Sequence, residues 1–289
     1  MDDEYEFPHA TIYRYVKEYV ESLPDLTGKV VVDVPCGDGR AGYAFRKRGA
    51  TIIALDLFPE FMKIDGIDAR YADLSERLPL EDSSVDYLVC QEGIEHISDK
   101  IGMFREFNRV LKKGGTLLFT IPSISHVRGR LSWFLVESDL WKRLAPNEMD
   151  SVWFSEGQSD RLYFGHLFLI GVHHLLTICT LNGFATVERR KTKISGTSVV
   201  LGVLLYPLIA LMTLVAYRSC ARKNRHVDAS RRKEILRERV KLNLSPTTLF
   251  RRHIFWVMRK DRELSEAIND VKALTRGMQE LGQKRGAQE

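Results

Sequence analysis

Between residues 29 and 121, short apolar runs alternate with stretches of helical spacing, and this pattern constrains the chain more than any other feature. The runs lie at residues 29–34, 51–55, 69–71, 85–90 and 116–121, and residues 101–111 carry helical spacing between the last two. Strands that are apolar along their whole length need cover on both faces, which indicates a parallel sheet with helices on either side. Residues 8–23 supply an amphipathic helix ahead of it, with Ile12, Val16, Tyr19 and Leu23 on one face. A helical pattern over residues 167–181 ends at Asn182-Gly183, and residues 185–190 and 254–258 read as two further strands. The expected architecture is therefore α/β, a Rossmann-like sheet of seven strands, and a chain of 289 residues is long enough to bury its core.

Two features are not explained by that sheet. Residues 194–217 contain no charge at all, and residues 218–263 then hold fifteen Lys/Arg against five Asp/Glu. The apolar run is long enough to cross a bilayer, yet it is basic on both sides (Arg189, Arg190, Lys191 and Lys193 before; Arg218, Arg222, Lys223 and Arg225 after), with Pro207 at its centre. A span usually shows its positive bias on one side. The pattern predicts a segment that bends near Pro207, dips into one leaflet and returns, with the cations on anionic lipids. A helical pair buried in the core is the alternative. Nucleic acid is a poor partner for a basic block beside so apolar a segment. Cys36, Cys90, Cys179 and Cys220 stand far apart, and the first residues, Met1-Asp2-Asp3-Glu4, are acidic. Together these predict a reducing compartment and attachment to the inner face of the cytoplasmic membrane.

The first strand runs into Asp33-Val34-Pro35-Cys36-Gly37-Asp38-Gly39. Glycines at 37 and 39 allow a backbone to approach a ligand where a side chain would clash, and Gly42 completes a GxGxxG pattern. No nicotinamide half accompanies it. The segment resembles motif I of the class I S-adenosylmethionine-dependent methyltransferases, and other landmarks of that family follow in order. Asp56 ends the second strand, where the family places the acid for the ribose hydroxyls. Ala72-Asp73-Leu74 follows the third, where its acid meets the adenine amino group. Residues 85–90, 110–115 and 249–260 resemble the fourth strand, the entry to the fifth and the closing antiparallel strand. The resemblance implies S-adenosylmethionine as cofactor, held by Asp33, Pro35, Gly37, Gly39, Asp56, Leu57, Asp73, Leu74 and Gln91. Pro35 departs from the commoner small residue. Taken alone, Asp33 would cap the next helix or hold its glycine loop, and Asp56 would be a solvated strand end.

After the fourth strand comes Gln91-Glu92-Gly93-Ile94-Glu95-His96. On a helix, Glu92 would share a face with Glu95 and His96. Two carboxylates and an imidazole suit a divalent ion such as Mg²⁺. The pattern resembles the metal-binding stretch of ubiquinone-biosynthesis and small-RNA O-methyltransferases, which implies His166 as a further ligand beside Glu92, Glu95 and His96. Without a metal, His96 is the candidate base and Glu95 its structural partner. Residues 123–165 concentrate aromatics, Trp133, Phe134, Trp141, Trp153, Phe154, Tyr163 and Phe164, where the family builds a substrate lid.

The expected organisation is an N-terminal helix (1–28), a cofactor-binding core (29–190, lid at 123–165), a membrane-associating insertion (191–247), a closing strand (248–260) and a helical tail (261–289). The tail spaces Leu264, Ile268, Val271, Leu274, Met278 and Leu281 as a seam for self-association or for packing on the body. The expected reaction is O-methylation of an amphipathic or membrane-borne acceptor, with a lipid-linked bacterial surface glycan of lipopolysaccharide type ahead of a quinone-type lipid. A weakly catalytic cofactor-binding scaffold of a membrane assembly is the reading from another class.

Overall fold

Valine and isoleucine dominate the first two strands because they occupy the middle of a sheet covered on both sides. The computed structural model describes residues 11–142, 146–149, 151–154 and 162–274. Its elements are α1 (Ile12–Glu21), β1 (Val30–Asp33), α2 (Arg40–Arg46), β2 (Thr51–Asp56), β3 (Ala69–Tyr71), β4 (Val85–Gln91), α3 (Lys100–Val110), β5 (Leu111–Pro122), α4 (Val127–Val136), β6 (Val152–Phe154), β7 (Leu162–Phe164), α5 (Val172–Leu181), β8 (Phe184–Arg189), α6 (Gly196–Lys223), α7 (Ala229–Leu244), α8 (Pro246–Phe250) and β9 (His253–Lys260). Seven strands form one sheet in the order β3-β2-β1-β4-β5-β9-β8, and β6 pairs with β7 in a separate hairpin. β1 to β5 run parallel, whereas β9 is antiparallel to both β5 and β8.

The period of two along each strand sorts neighbours to opposite faces. Val31, Val89, Leu118 and Phe255 pack with Val16 and Val20 of α1 and Phe45 of α2. Their neighbours Val32, Leu88, Leu117 and Trp256 pack with Phe104 and Phe107 of α3 and Leu175 of α5. Helix α1 is thus part of the body. Residues 264–274 are helical and set Ala267 against it with almost no exposure, whereas Met278 and Leu281 of the expected seam lie outside the described residues.

Strand order reverses at β1, between β2 and β4 on one side and the other. The crevice at the carboxyl ends of the strands there is where a sheet of this kind takes a ligand. The insertion α6–α8 leaves the sheet after β8 and returns at β9, and both junctions lie on that same edge, since β9 starts opposite Pro122 at the end of β5.

The chain does not turn back on itself at Pro207. One 28-residue helix runs through it. Proline already holds a helical φ, though it removes one donor and crowds the carbonyl one turn back, and α6 is steadied at three points by neighbours. The Ser198 Oγ accepts from the Arg128 N–H of α4 at 3.1 Å, Gly202 lies against the Phe250 ring of α8, and Asn243 of α7 donates to the Thr213 Oγ1 at 2.7 Å.

Candidate cofactor and acceptor site

A pocket of about 710 Å³ opens at the carboxyl ends of β1, β2, β3 and β4. Of the residues expected to hold the cofactor, Asp33, Pro35, Gly37, Asp56, Leu57, Asp73, Leu74 and Gln91 line it. Gly39 does not. It sits at the head of α2 with φ +87°, and a Cβ there would lie 2.4 Å from the Met62 sulfur and 2.8 Å from Ile64. Its glycine is required by the turn and by the packing of the 62–64 segment rather than by a ligand.

Asp33 serves the fold and the pocket at once. Its Oδ2 accepts the Gly42 N–H at 2.7 Å, tying β1 to α2, while its buried Oδ1 has no partner. Burial holds this carboxyl well above the usual carboxylate range, with the Gly42 hydrogen bond opposing. Asp56 accepts the Gly37 N–H at 2.7 Å on Oδ2 and the Phe58 N–H at 2.8 Å on Oδ1. It therefore shapes the glycine turn, and each oxygen keeps a second lone pair for a vicinal diol. Burial also raises its pKa, against those two backbone bonds. Asp73 takes both the Ser75 N–H at 2.7 Å and the Ser75 hydroxyl at 2.5 Å on its Oδ1. Gln91 is 7 % exposed, and neither its amide oxygen nor its amide nitrogen finds a partner within the chain.

The segment after β4 is not the expected helix. Glu92 adopts φ +51°, ahead of a single 3₁₀ turn over Ile94–His96, so it does not share a helical face with Glu95 and His96. Its backbone N–H reaches the Thr120 Oγ1 at 3.2 Å, and its carboxylate lies 3.4 Å from the His253 imidazole at the start of β9. Among the described residues the group able to hold a metal is Glu95, His96 and His166, whose ligand atoms lie within 4.8 Å of one another. Glu92, expected as a fourth ligand, is not in it.

Glu95 is fully buried, and neither carboxylate oxygen has a hydrogen-bond partner. Burial, and then the Glu92 charge, hold its pKa well above the usual range. Lys100 donates to the Ile97 carbonyl at 2.6 Å, and burial pulls its pKa down to about 8. The His96 Nδ1 faces the Phe164 carbonyl at 2.5 Å and that of Gly165 at 3.2 Å. Two carbonyl acceptors require Nδ1 to carry the proton, which leaves Nε2 with its lone pair. Burial lowers the His96 pKa, opposed by the Phe164 carbonyl, so the ring is neutral near pH 7. The hairpin ending at Phe164 thus orients the candidate base.

Tyr13, Phe58, Phe61 and Ser98 also line the pocket without having been singled out from sequence. Tyr13 did carry a signal, being an aromatic off the apolar stripe of α1, with the Arg40 guanidinium 5.6 Å from its ring centre. Trp153, Phe154 and Tyr163 of the expected lid have side chains outside the description.

Glycine turn, strand-end acids and sheet order define the class I S-adenosylmethionine-dependent methyltransferase fold. Residues 32–119 match the family described as "Methyltransferase domain". It is 28% identical over 138 residues to the ubiquinone biosynthesis O-methyltransferase of Xanthomonas oryzae pv. oryzae, covering 45% of this chain and 57% of that relative. The protein of the same name from Paracidovorax citrulli is 30% identical over 112 residues, covering 35% and 47%. The chain therefore spans about half the length of the curated relatives it matches. Among solved structures, it is similar to phosphoethanolamine N-methyltransferase 2 of Haemonchus contortus bound to S-adenosyl-L-methionine (TM-score 0.47, 16% identity, 86% of this chain and 52% of that one). It is also similar to an S-adenosylmethionine-dependent methyltransferase from Mesorhizobium loti (TM-score 0.45, 13% identity, 84% and 96%).

Proposed function

We propose that this chain transfers the methyl group of S-adenosylmethionine to a hydroxyl of an amphipathic acceptor, a quinone-type lipid rather than a lipid-linked glycan. The observation that carries the reading is the pairing, in one pocket, of the unsatisfied Gln91 amide and Asp33 Oδ1 with a neutral His96 whose Nδ1 is oriented by the Phe164 carbonyl. The first two offer a donor and acceptors to a polar cofactor. The third offers a base to the acceptor. In the reaction the acceptor oxygen attacks the methyl carbon in line, the carbon–sulfur bond breaks with its electron pair going to sulfur, and the hydroxyl proton passes to Nε2. The sulfonium already carries its leaving group, so the protein aligns the two reactants and removes that proton.

Two observations favour a quinone-type ring over a sugar. Ile97 and Phe164 flank His96 in the pocket, and apolar walls suit an aromatic ring better than a polyol. The curated relatives named above carry ubiquinone biosynthesis in their names. In the alternative arrangement Glu95, His96 and His166 would hold a divalent ion, with the His96 Nε2 a ligand instead of the base and the ion lowering the pKa of the acceptor hydroxyl; the unpartnered Glu95 carboxylate fits that use.

The test is turnover on a polyprenylated catechol and on a lipid-linked oligosaccharide, with cofactor affinity measured alongside. His96→Ala should lower turnover by about 10²–10⁴-fold while leaving S-adenosylmethionine binding unchanged. Methylation of the oligosaccharide alone would overturn the quinone reading, and cofactor binding with no turnover on either would favour the scaffold. A chelator that abolishes turnover but not cofactor binding would assign the three side chains to a metal; an indifferent chelator leaves His96 as the base.

A further inference from the structure

Helix α6 presents an apolar surface that the rest of the chain leaves open. Val200, Val203, Leu204, Leu208, Leu211 and Val215 cluster on one side, with Tyr206, Met212 and Leu214 also exposed beyond it, and Val203 and Leu204 are 76% and 74% exposed. Phe134 near the end of α4, the helix against which α6 packs, is 84% exposed and adds a further open apolar side chain. Patches of this kind mark an interaction surface.

The other side of α6 is flanked by cations. α7 returns beside it, and Lys233, Arg237 and Lys241 form an exposed stripe at four-residue spacing. Among the described residues neither Arg237 nor Lys241 has an ion-pair partner. Between the helices runs a groove of about 440 Å³, floored by Ala210, Leu214 and Val240, with Arg237 and Lys241 among its lining. Apolar walls under two free cations match the two halves of an anionic phospholipid, acyl chain and phosphate.

We propose that the α6–α7 hairpin docks in the plane of an anionic phospholipid bilayer, with the open side of α6 in the interface and the α7 cations on the head groups. A spanning arrangement is opposed by the packing. At about 42 Å α6 exceeds the hydrocarbon thickness, but α4 and α8 flank its first half and α7 its second. Crossing would drag the Arg/Lys-rich α7 into hydrocarbon. An in-plane helix with a basic flank carries no such cost. The insertion is rooted on the edge of the sheet that carries the pocket, so docking brings a membrane-borne acceptor beside His96. That consequence rests on the function proposed above; the docking itself does not.

Co-sedimentation of the full chain with phosphatidylcholine vesicles, with and without phosphatidylglycerol, tests the proposal. Binding should be at least about tenfold tighter to the anionic vesicles, and should fall about tenfold in Arg237→Glu/Lys241→Glu. Val203→Glu/Leu204→Glu/Leu208→Glu should abolish it, because exposed positions tolerate the change in folding. Calorimetry with S-adenosylmethionine should give wild-type affinity in both variants, which separates failure of docking from failure of the cofactor site. Alkaline carbonate should strip the protein from vesicles. Equal binding to neutral and anionic vesicles, retention through carbonate, or a solution dimer disrupted by the apolar substitutions in a chain that ignores vesicles would each overturn it.

Discussion

Gln91 and Asp56 divide the work of the cofactor pocket differently. The Gln91 amide is buried with no partner in the chain, so the fold gains nothing from it. Gln91→Leu should leave unfolding free energy unchanged or raised, while weakening S-adenosylmethionine by about 0.5–1.5 kcal/mol. Denaturation and calorimetry on one preparation check this, and a loss of stability at constant affinity would mean the amide serves the fold. Asp56 behaves otherwise, because it also holds the Gly37 and Phe58 N–H groups. Asp56→Ala should cost about 1.5–3 kcal/mol of cofactor affinity and lower the melting temperature as well; unchanged affinity would remove Asp56 from the site. These residues were legible because each ends a strand that its own apolar run announces. Glu92 was not. Its left-handed backbone and its contact with His253 depend on β9 adding antiparallel to β5, which no local spacing encodes.

At the scale of elements, helix α4 carries a pH-dependent cap. The His126 Nδ1 accepts the Gly129 N–H at 2.7 Å, and burial lowers the ring's pKa from 6.5 to about 4. Above the unfolded value both states are neutral and the cap is intact. As pH falls from 6.5 the unfolded chain takes up a proton that the native ring refuses, so stability declines until the pH passes the folded value. The difference amounts to up to about 3 kcal/mol. His126→Asn keeps a cap without titrating, so denaturant midpoints should fall more in wild type than in the variant on going from about pH 7 to about pH 4.5. Equal losses would clear His126. Element identities were legible for β1, β2, β4 and β5 because these strands are largely buried and read as mainly apolar runs, whereas the edge strand β3 has Arg70 and Tyr71 exposed. The path through Pro207 was not, since the neighbours that steady α6 come from α4, α7 and α8.

The whole molecule places the pocket and the apolar insertion on one edge of a sheet. Strand order places the crevice at the carboxyl ends of β1 and β4, and the β8–β9 insertion leaves from that same end. The sequence showed both parts, a glycine turn and an uncharged run, but not their adjacency, because it arises from β9 lying between β5 and β8. The adjacency predicts that an acceptor embedded in anionic vesicles is methylated faster than the same acceptor in neutral detergent micelles, and that Arg237→Glu/Lys241→Glu removes the difference without changing the micellar rate. Equal rates in both media would separate the insertion from acceptor delivery.

Methyl transfer at the pocket, with His96 as base, can be read directly from the product. Its most direct test is to incubate the purified chain with S-adenosylmethionine carrying a trideuterated methyl group and a polyprenylated catechol, and to follow the lipid by mass spectrometry. A trideuteromethyl ether should form on one phenolic oxygen in wild type and be almost completely lost in His96→Ala at unchanged cofactor affinity. Label reaching the lipid equally well in His96→Ala, or no label at all in a wild-type chain that binds the cofactor, would contradict it.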